Sequence, residues 1–208
     1  MTTYKLIYFD MDGGRGEPIR IALHAAGIDF EDHRVAFPDF QEAKKNLPFG
    51  CVPVLEIDGV AVTQSNAIAR YVGRLGGIYP EDAQQALYCD ETMDVVEDIA
   101  HYLGPTFGLQ GDALKSAREQ FVERRLSVFL PGLAKLLARG GGKYFADNRL
   151  TVADLKVFVV TRWFRSGQLD HVPADLVDTL APALAEHRAR IERDPVVVAW
   201  YDARRKRT

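Results

Sequence analysis

PVLEIDGVAV, residues 53–62, is the stretch whose reading decides the fold of the first part of this chain. Two apolar, branched runs flank Asp58-Gly59, a dipeptide suited to a two-residue turn with positive φ at both positions, so the stretch predicts a tight β-hairpin. Its meaning comes from what lies on either side. Upstream, YKLIYF at residues 4–9 is rich in aromatic and branched residues and runs into the turn cluster Asp12-Gly13-Gly14. Residues 17–26 read as a helix: Pro18 suits the first turn, and Ile19, Ala22, Leu23 and Ala26 recur at helical spacing before Gly27 stops it. Residues 30–35 form a second strand, which completes a βαβ unit and predicts parallel pairing through the crossover helix. A short helical stretch covers residues 40–45. Downstream of the hairpin, Ser65 is placed to cap a helix over residues 66–75, with Ile68, Tyr71, Val72 and Leu75 on one face and Gly76-Gly77 at its end. The order βαβ, β-hairpin, α predicts a thioredoxin-like α/β domain over residues 1–79.

Beyond Pro80 the pattern changes to an all-α helical domain, expected over residues 80–208. Helical periodicity covers residues 82–103 and 113–138 and breaks at Gly140-Gly141-Gly142. A further helix opens at Thr151, where Thr151 and Asp154 have capping-box spacing and Leu150 and Leu155 that of a hydrophobic staple. Residues 182–192 and 195–203 supply the last helices. The acids Asp90, Asp94, Glu97 and Asp98 fall on one helical face, which spacing alone reads as solvated.

Composition narrows the function classes. The 208 residues are 47% hydrophobic and 26% charged, with a net charge of −3, so no basic field draws the chain to nucleic acid or an anionic membrane. The only basic cluster, Arg204-Arg205-Lys206-Arg207, reads as a solvated tail. No stretch resembles a signal peptide or a spanning helix, which leads us to expect a soluble, cytoplasmic protein. Cys51 and Cys89 lack C-x-x-C spacing, and His24, His33, His101, His171 and His187 are scattered, so no metal site is expected.

Four stretches in register carry a resemblance: residues 4–20 (YKLIYFDMDGGRGEPIR), 47–59 (LPFGCVPVLEIDG), 64–71 (QSNAIARY) and 150–155 (LTVADL). Together they resemble the cytosolic glutathione transferases, most closely the sigma class, which includes glutathione-dependent prostaglandin D synthases. The resemblance implies an enzyme that takes glutathione as co-substrate and adds it to a small apolar electrophile, in a homodimer.

Taken alone, Tyr8 is a half-buried strand tyrosine; the resemblance makes its hydroxyl the group that activates the glutathione thiol. Arg15 matches an arginine that tunes that hydroxyl, although Asp12-Gly13-Gly14 carries one residue more than the usual sigma loop. Val52-Pro53 matches a cis-proline turn that pairs with the cysteinyl part of glutathione, and Gln64-Ser65 the pair that holds its γ-glutamyl carboxylate. Phe40 and Lys44 match contacts to its glycine end. Phe40 stands for a tryptophan and so offers packing without an indole N–H, and Cys51 stands where lysine is common. Glu97 aligns with an acid that meets the glutathione α-amino group of the neighbouring subunit, and a divalent cation between the acidic faces is a further possibility of the class.

Phe9, Met11, Tyr102 and Phe107 are the residues the resemblance assigns to an electrophile pocket between the domains. The prostaglandin synthases carry a tryptophan near that last pair, and the stretch from Tyr102 to Phe107 has none, which argues against prostaglandin synthesis. Two other classes compete. A non-catalytic carrier of glutathione or apolar ligands would not need Tyr8, Val52-Pro53 and Gln64-Ser65 together. A thioredoxin-like redox enzyme would need more than the lone Cys51. Glutathione-dependent isomerase or peroxidase chemistry stays within the leading class.

Overall fold

The computed structural model describes residues 2–206. The chain forms two compact units, one running to Tyr79 and resuming at Asp194, the other spanning Pro80–Arg193. This differs from the expected 80–208 domain in its last stretch, and the reason is chemical. Trp200 donates its indole N–H to Glu17 across 2.8 Å, which ties the final helix to the first unit.

In the first unit, β1 (Tyr4–Phe9), α1 (Glu17–Ala25) and β2 (Glu31–Val35) form the βαβ element. A short helix α2 (Phe40–Ala43) precedes the hairpin of β3 (Val54–Ile57) and β4 (Val60–Thr63), and α3 (Ser65–Leu75) follows it. The sheet order is β2-β1-β3-β4, with β1 parallel to β2 and antiparallel to β3. The hairpin turn has φ of 50° at Asp58 and 81° at Gly59, and the second value is why glycine stands there. The other departure concerns α3. Ser65 is its first residue and not its cap; Gln64 takes the cap position at φ 73° and makes no side-chain cap bond.

The final helix of the chain, α10 (Pro195–Arg205), packs on α1. Arg204 and Arg205 therefore belong to a helix where a solvated tail was expected, and Arg207 lies outside the described residues. Glu17 is fully buried beneath α10, and burial raises its carboxyl above the ordinary range, outweighing the opposing effects of the Trp200 N–H and Arg20. A raised carboxyl binds more protons in the folded state than in the unfolded one. Stability is therefore lost as pH climbs from the ordinary glutamate value, about 4.5, through the folded value. Urea unfolding across that range is expected to show the wild type losing more stability than Glu17→Gln; parallel curves would contradict the burial.

The second unit comprises α4 (Ala83–Leu103), α5 (Gly111–Phe121), α6 (Ser127–Arg139), α7 (Val152–Arg165), α8 (Leu176–Leu180) and α9 (Pro182–Ile191). The sequence pattern does not anticipate α8. The expected single helix over residues 113–138 is interrupted by a π-helical turn at Val122–Leu126. Pro131, inside α6, lacks the N–H that would bond the Ser127 carbonyl. Helix α7 is buried continuously from Val152 to Thr161, with α4 and α9 against it, so it forms the centre of this unit. The capping box forms as read. Asp154 accepts from the Thr151 N–H at 2.8 Å and its hydroxyl at 2.7 Å, and also from the Phe145 N–H at 3.1 Å. His187, fully buried, meets the same carboxylate at 2.9 Å, so this histidine is a structural group.

Candidate active site

Strand register gathers the N-terminal candidates. Ile7 pairs with Val54, and Val54 with Thr63, in one row across the sheet. One residue beyond that row, on the same end of the sheet, stand Tyr8, Pro53 and Gln64. Residues far apart in the chain thus share one end of the sheet because β3 runs antiparallel to both β1 and β4. The Val52–Pro53 peptide is cis. Gln64 holds a left-handed backbone, φ 73°, that non-glycine residues rarely adopt, and such strain concentrates at functional sites.

The Tyr8 ring is 5% exposed, and its hydroxyl oxygen accepts the backbone N–H of Arg15 at 2.8 Å. The extra loop residue therefore does not carry Arg15 away: its main chain supplies the contact. The accepted N–H favours negative charge on that oxygen, which makes its O–H a stronger hydrogen-bond donor. The loop lies very close. A Cβ on Gly14 would fall 2.4 Å from the hydroxyl oxygen, and one on Gly16 would fall 2.4 Å from the ring. Gly14 also has φ 61°. We expect Gly14→Ala to lower stability by roughly 1–3 kcal/mol, measured by urea unfolding, as the loop is pushed off the hydroxyl. A change within a few tenths of a kcal/mol would contradict this packing.

Sequence reasoning missed Arg20. It is fully buried, and its guanidinium lies 5.7 Å from the centre of the Tyr8 ring. It donates to the Met11 carbonyl at 2.7 Å, the Phe9 carbonyl at 3.2 Å, Glu17 at 3.2 Å and Asp32 at 2.9 Å. These bonds fix the chain as it leaves β1 for the glycine loop, so Arg20 positions the segment that carries Tyr8. A signal existed: Glu17 and Arg20, three apart on a helix, fall beside the apolar face of Ile19 and Leu23.

Phe9 stacks on Phe37 at 4.7 Å and meets Phe40 edge-on at 4.8 Å. Phe40 packs against Ile7, Val35 and Val54, in line with a packing role. Met11 and Lys44 are half-buried. Cys51 is an exposed free thiol; Cys89 is buried, and burial pushes it up to about 12, so it stays protonated.

The remaining candidates lie in the second unit. Arg125 sits 3.9 Å from the Tyr102 ring centre. Phe107 stacks on Trp163 at 6.0 Å and 9°. Folding thus supplies from α7 an indole that the local stretch lacks, a contact invisible in sequence because 56 residues separate the pair. Glu97 is paired within the chain to Lys156, whose side chain is 3% exposed. No cluster of three or more potential metal ligands exists among the described residues. No helix among them is long and apolar enough to cross a membrane.

Comparison with known proteins gives the family. The model of the glutathione S-transferase N-terminal domain matches residues 4–74, and that of the glutathione S-transferase C-terminal domain matches residues 97–204. Glutathione S-transferase 1 of Ascaris suum is 38% identical over 76% of this chain and 78% of its own. The hematopoietic prostaglandin D synthase of Gallus gallus is 34% identical over 99% of this chain and 98% of its own. Among solved structures, a sigma class glutathione transferase of Fasciola hepatica superposes with a TM-score of 0.82 at 27% identity, covering 98% of this chain and 97% of that one.

Proposed function

The chain belongs to the glutathione S-transferase family and is a glutathione S-transferase, and on that premise we propose that Tyr8 activates the glutathione thiol for addition to apolar electrophiles. The observation that carries the reading is the Tyr8 hydroxyl, which accepts the Arg15 N–H at 2.8 Å, a bond that makes its own O–H a stronger donor. A free thiol has a pKa of about 8.5, so little thiolate is present at neutral pH. Lowering that by about 2 units takes about 2.7 kcal/mol of preference for the thiolate. A hydrogen bond to a charged group contributes about 1.5–3 kcal/mol, which matches the need.

In this reading the cysteinyl backbone of glutathione pairs in strand fashion with the N–H and C=O of Val52, beside the cis Pro53. The γ-glutamyl carboxylate meets the start of α3 at Gln64-Ser65, where amide N–H groups favour an anion. Lys44 faces the glycine carboxylate, with Phe40 and Cys51 beside it. Glu97 of a second subunit meets the α-amino group once it exchanges its partner Lys156. Phe9 and Met11 flank the reacting sulfur on the electrophile side, and the protein works as a cytoplasmic homodimer in detoxification. The thiol proton leaves to solvent. The sulfur lone pair then forms the C–S bond as the leaving group departs with its electrons, or as an activated double bond takes up a proton.

Glutathione-dependent isomerisation is a second reading. Two observations favour it: the likeness to a prostaglandin D synthase over 99% of the chain, and the stacking of Trp163 on Phe107. Incubation with glutathione and an activated aryl chloride is expected to yield the thioether at rates well above the uncatalysed reaction. Binding of glutathione without turnover on aryl chlorides, enones or peroxides would replace the enzyme reading with the carrier.

A further inference from the structure

Helix α7 carries a cation in the middle of its buried run. Of the polar residues between Val152 and Thr161, Asp154 serves the capping box, and the Thr161 hydroxyl donates to the Val157 carbonyl at 2.7 Å. Lys156 is the third, and its Nζ donates to Glu97 Oε1 on α4 at 2.5 Å. The Lys156 side chain is 3% exposed and that of Glu97 is 25% exposed. A buried ammonium is costly unless a counter-charge meets it, and an apolar residue in its place commonly serves folding as well. The ammonium sits inside and the carboxylate at the margin, so the pair draws Glu97 inward toward α7.

In the proposed function Glu97 of the second subunit meets the α-amino group of glutathione, and the inference rests on that reading. The α-amino group is itself an ammonium, so one carboxylate faces two cations of the same kind. With Lys156 beside it the carboxylate is already neutralised, and its pull on a second ammonium is weaker. A contact that draws Glu97 outward leaves the buried ammonium without that carboxylate. A contact that keeps the pair intact sets two ammonium groups side by side. Both arrangements hold glutathione less tightly than Glu97 would without Lys156.

We propose that Lys156 is a positioning residue that restrains Glu97 and so lowers the affinity for glutathione, acting through the α-amino group alone. Titration calorimetry on the full chain tests this with two ligands. One is glutathione; the other is its deamino analogue, in which a glutaryl group replaces the γ-glutamyl group and only the amine is missing. The ratio of the two dissociation constants reads what the amine contributes. Lys156→Met, neutral and of similar length, is expected to raise that ratio about tenfold by tightening glutathione, with the analogue held within about twofold. A purely structural role would move both ligands alike. Glu97→Gln should bring the ratio close to one, and Lys156→Met should add nothing on top of it. A ratio unchanged or lowered by Lys156→Met, while Glu97→Gln still lowers it, overturns the restraint and leaves the reading of Glu97 standing. A ratio unmoved by Glu97→Gln removes Glu97 from the glutathione site, and the restraint falls with it. Should Lys156→Met not fold, Lys156→Gln removes the same charge and is held to the same outcomes.

Discussion

Tyr8→Phe is expected to lower the turnover of glutathione conjugation by about 100-fold, with a much smaller change in KM for glutathione. The magnitude follows from what one donor contributes to a developing anion, about 2.7–4 kcal/mol where it has been removed from comparable sites. The substitution removes the oxygen alone. The ring keeps its place under the glycine loop, where Gly16 has no room for a Cβ. In the proposed reading glutathione is held by other groups, the Val52 main chain and the start of α3, so binding should survive. Steady-state kinetics on both proteins with one electrophile settle the matter. Turnover within a few-fold of wild type would move the activating role elsewhere on that end of the sheet, whereas loss through KM alone would make Tyr8 a binding residue.

The largest effect on stability is expected at Asp154. Its carboxylate accepts from the Thr151 N–H and hydroxyl, the Phe145 N–H and the His187 ring, all inside the second unit and away from solvent. Asp154→Ala orphans these donors together. A lost cap costs about 1 kcal/mol, and each buried orphan about 1–3 kcal/mol, with the total held below the sum by relaxation. We expect a loss of about 3–5 kcal/mol, a large share of the 5–15 kcal/mol that holds a typical domain. Urea unfolding measures it, with Asp154→Asn falling between because its amide keeps one acceptor. A loss below about 1 kcal/mol would show that the box is ornamental to α7.

Local chemistry explains why some elements were legible in sequence. Asp58-Gly59 announces its turn because positive φ is demanded at both positions, and β1 ends where its branched run meets a glycine cluster. Thr151 and Asp154 announce the start of α7 because both partners of the capping box lie within four residues. What was not legible depends on partners far apart in the chain. Nothing near Ser65 shows that Gln64 will take the cap position with a left-handed backbone. The grouping of α10 with the first unit rests on contacts such as Trp200 with Glu17, His24 and Phe30, residues separated by most of the chain. Trp163 beside Phe107 and Lys156 beside Glu97 are likewise meetings between helices that periodicity cannot foresee.

Within the candidate site the division is similar. The resemblance named Tyr8, Val52-Pro53 and Gln64-Ser65, and the strand register explains why they share one end of the sheet. It did not name Arg20, whose four acceptors come from β1, the loop, α1 and β2 and converge only in the folded chain. The resemblance also implied an arginine near the hydroxyl, and the Arg15 main-chain N–H lies 2.8 Å from it.

In the proposed mechanism the Tyr8 hydroxyl stabilises the thiolate of bound glutathione. Its most direct test is the pH titration of thiolate absorbance with glutathione bound to the wild type and to Tyr8→Phe. A thiol pKa about 2 units below the free value of about 8.5 is expected in the wild type, returning toward that value in the variant. An equally depressed pKa in both proteins, or an undepressed one in the wild type, would contradict it.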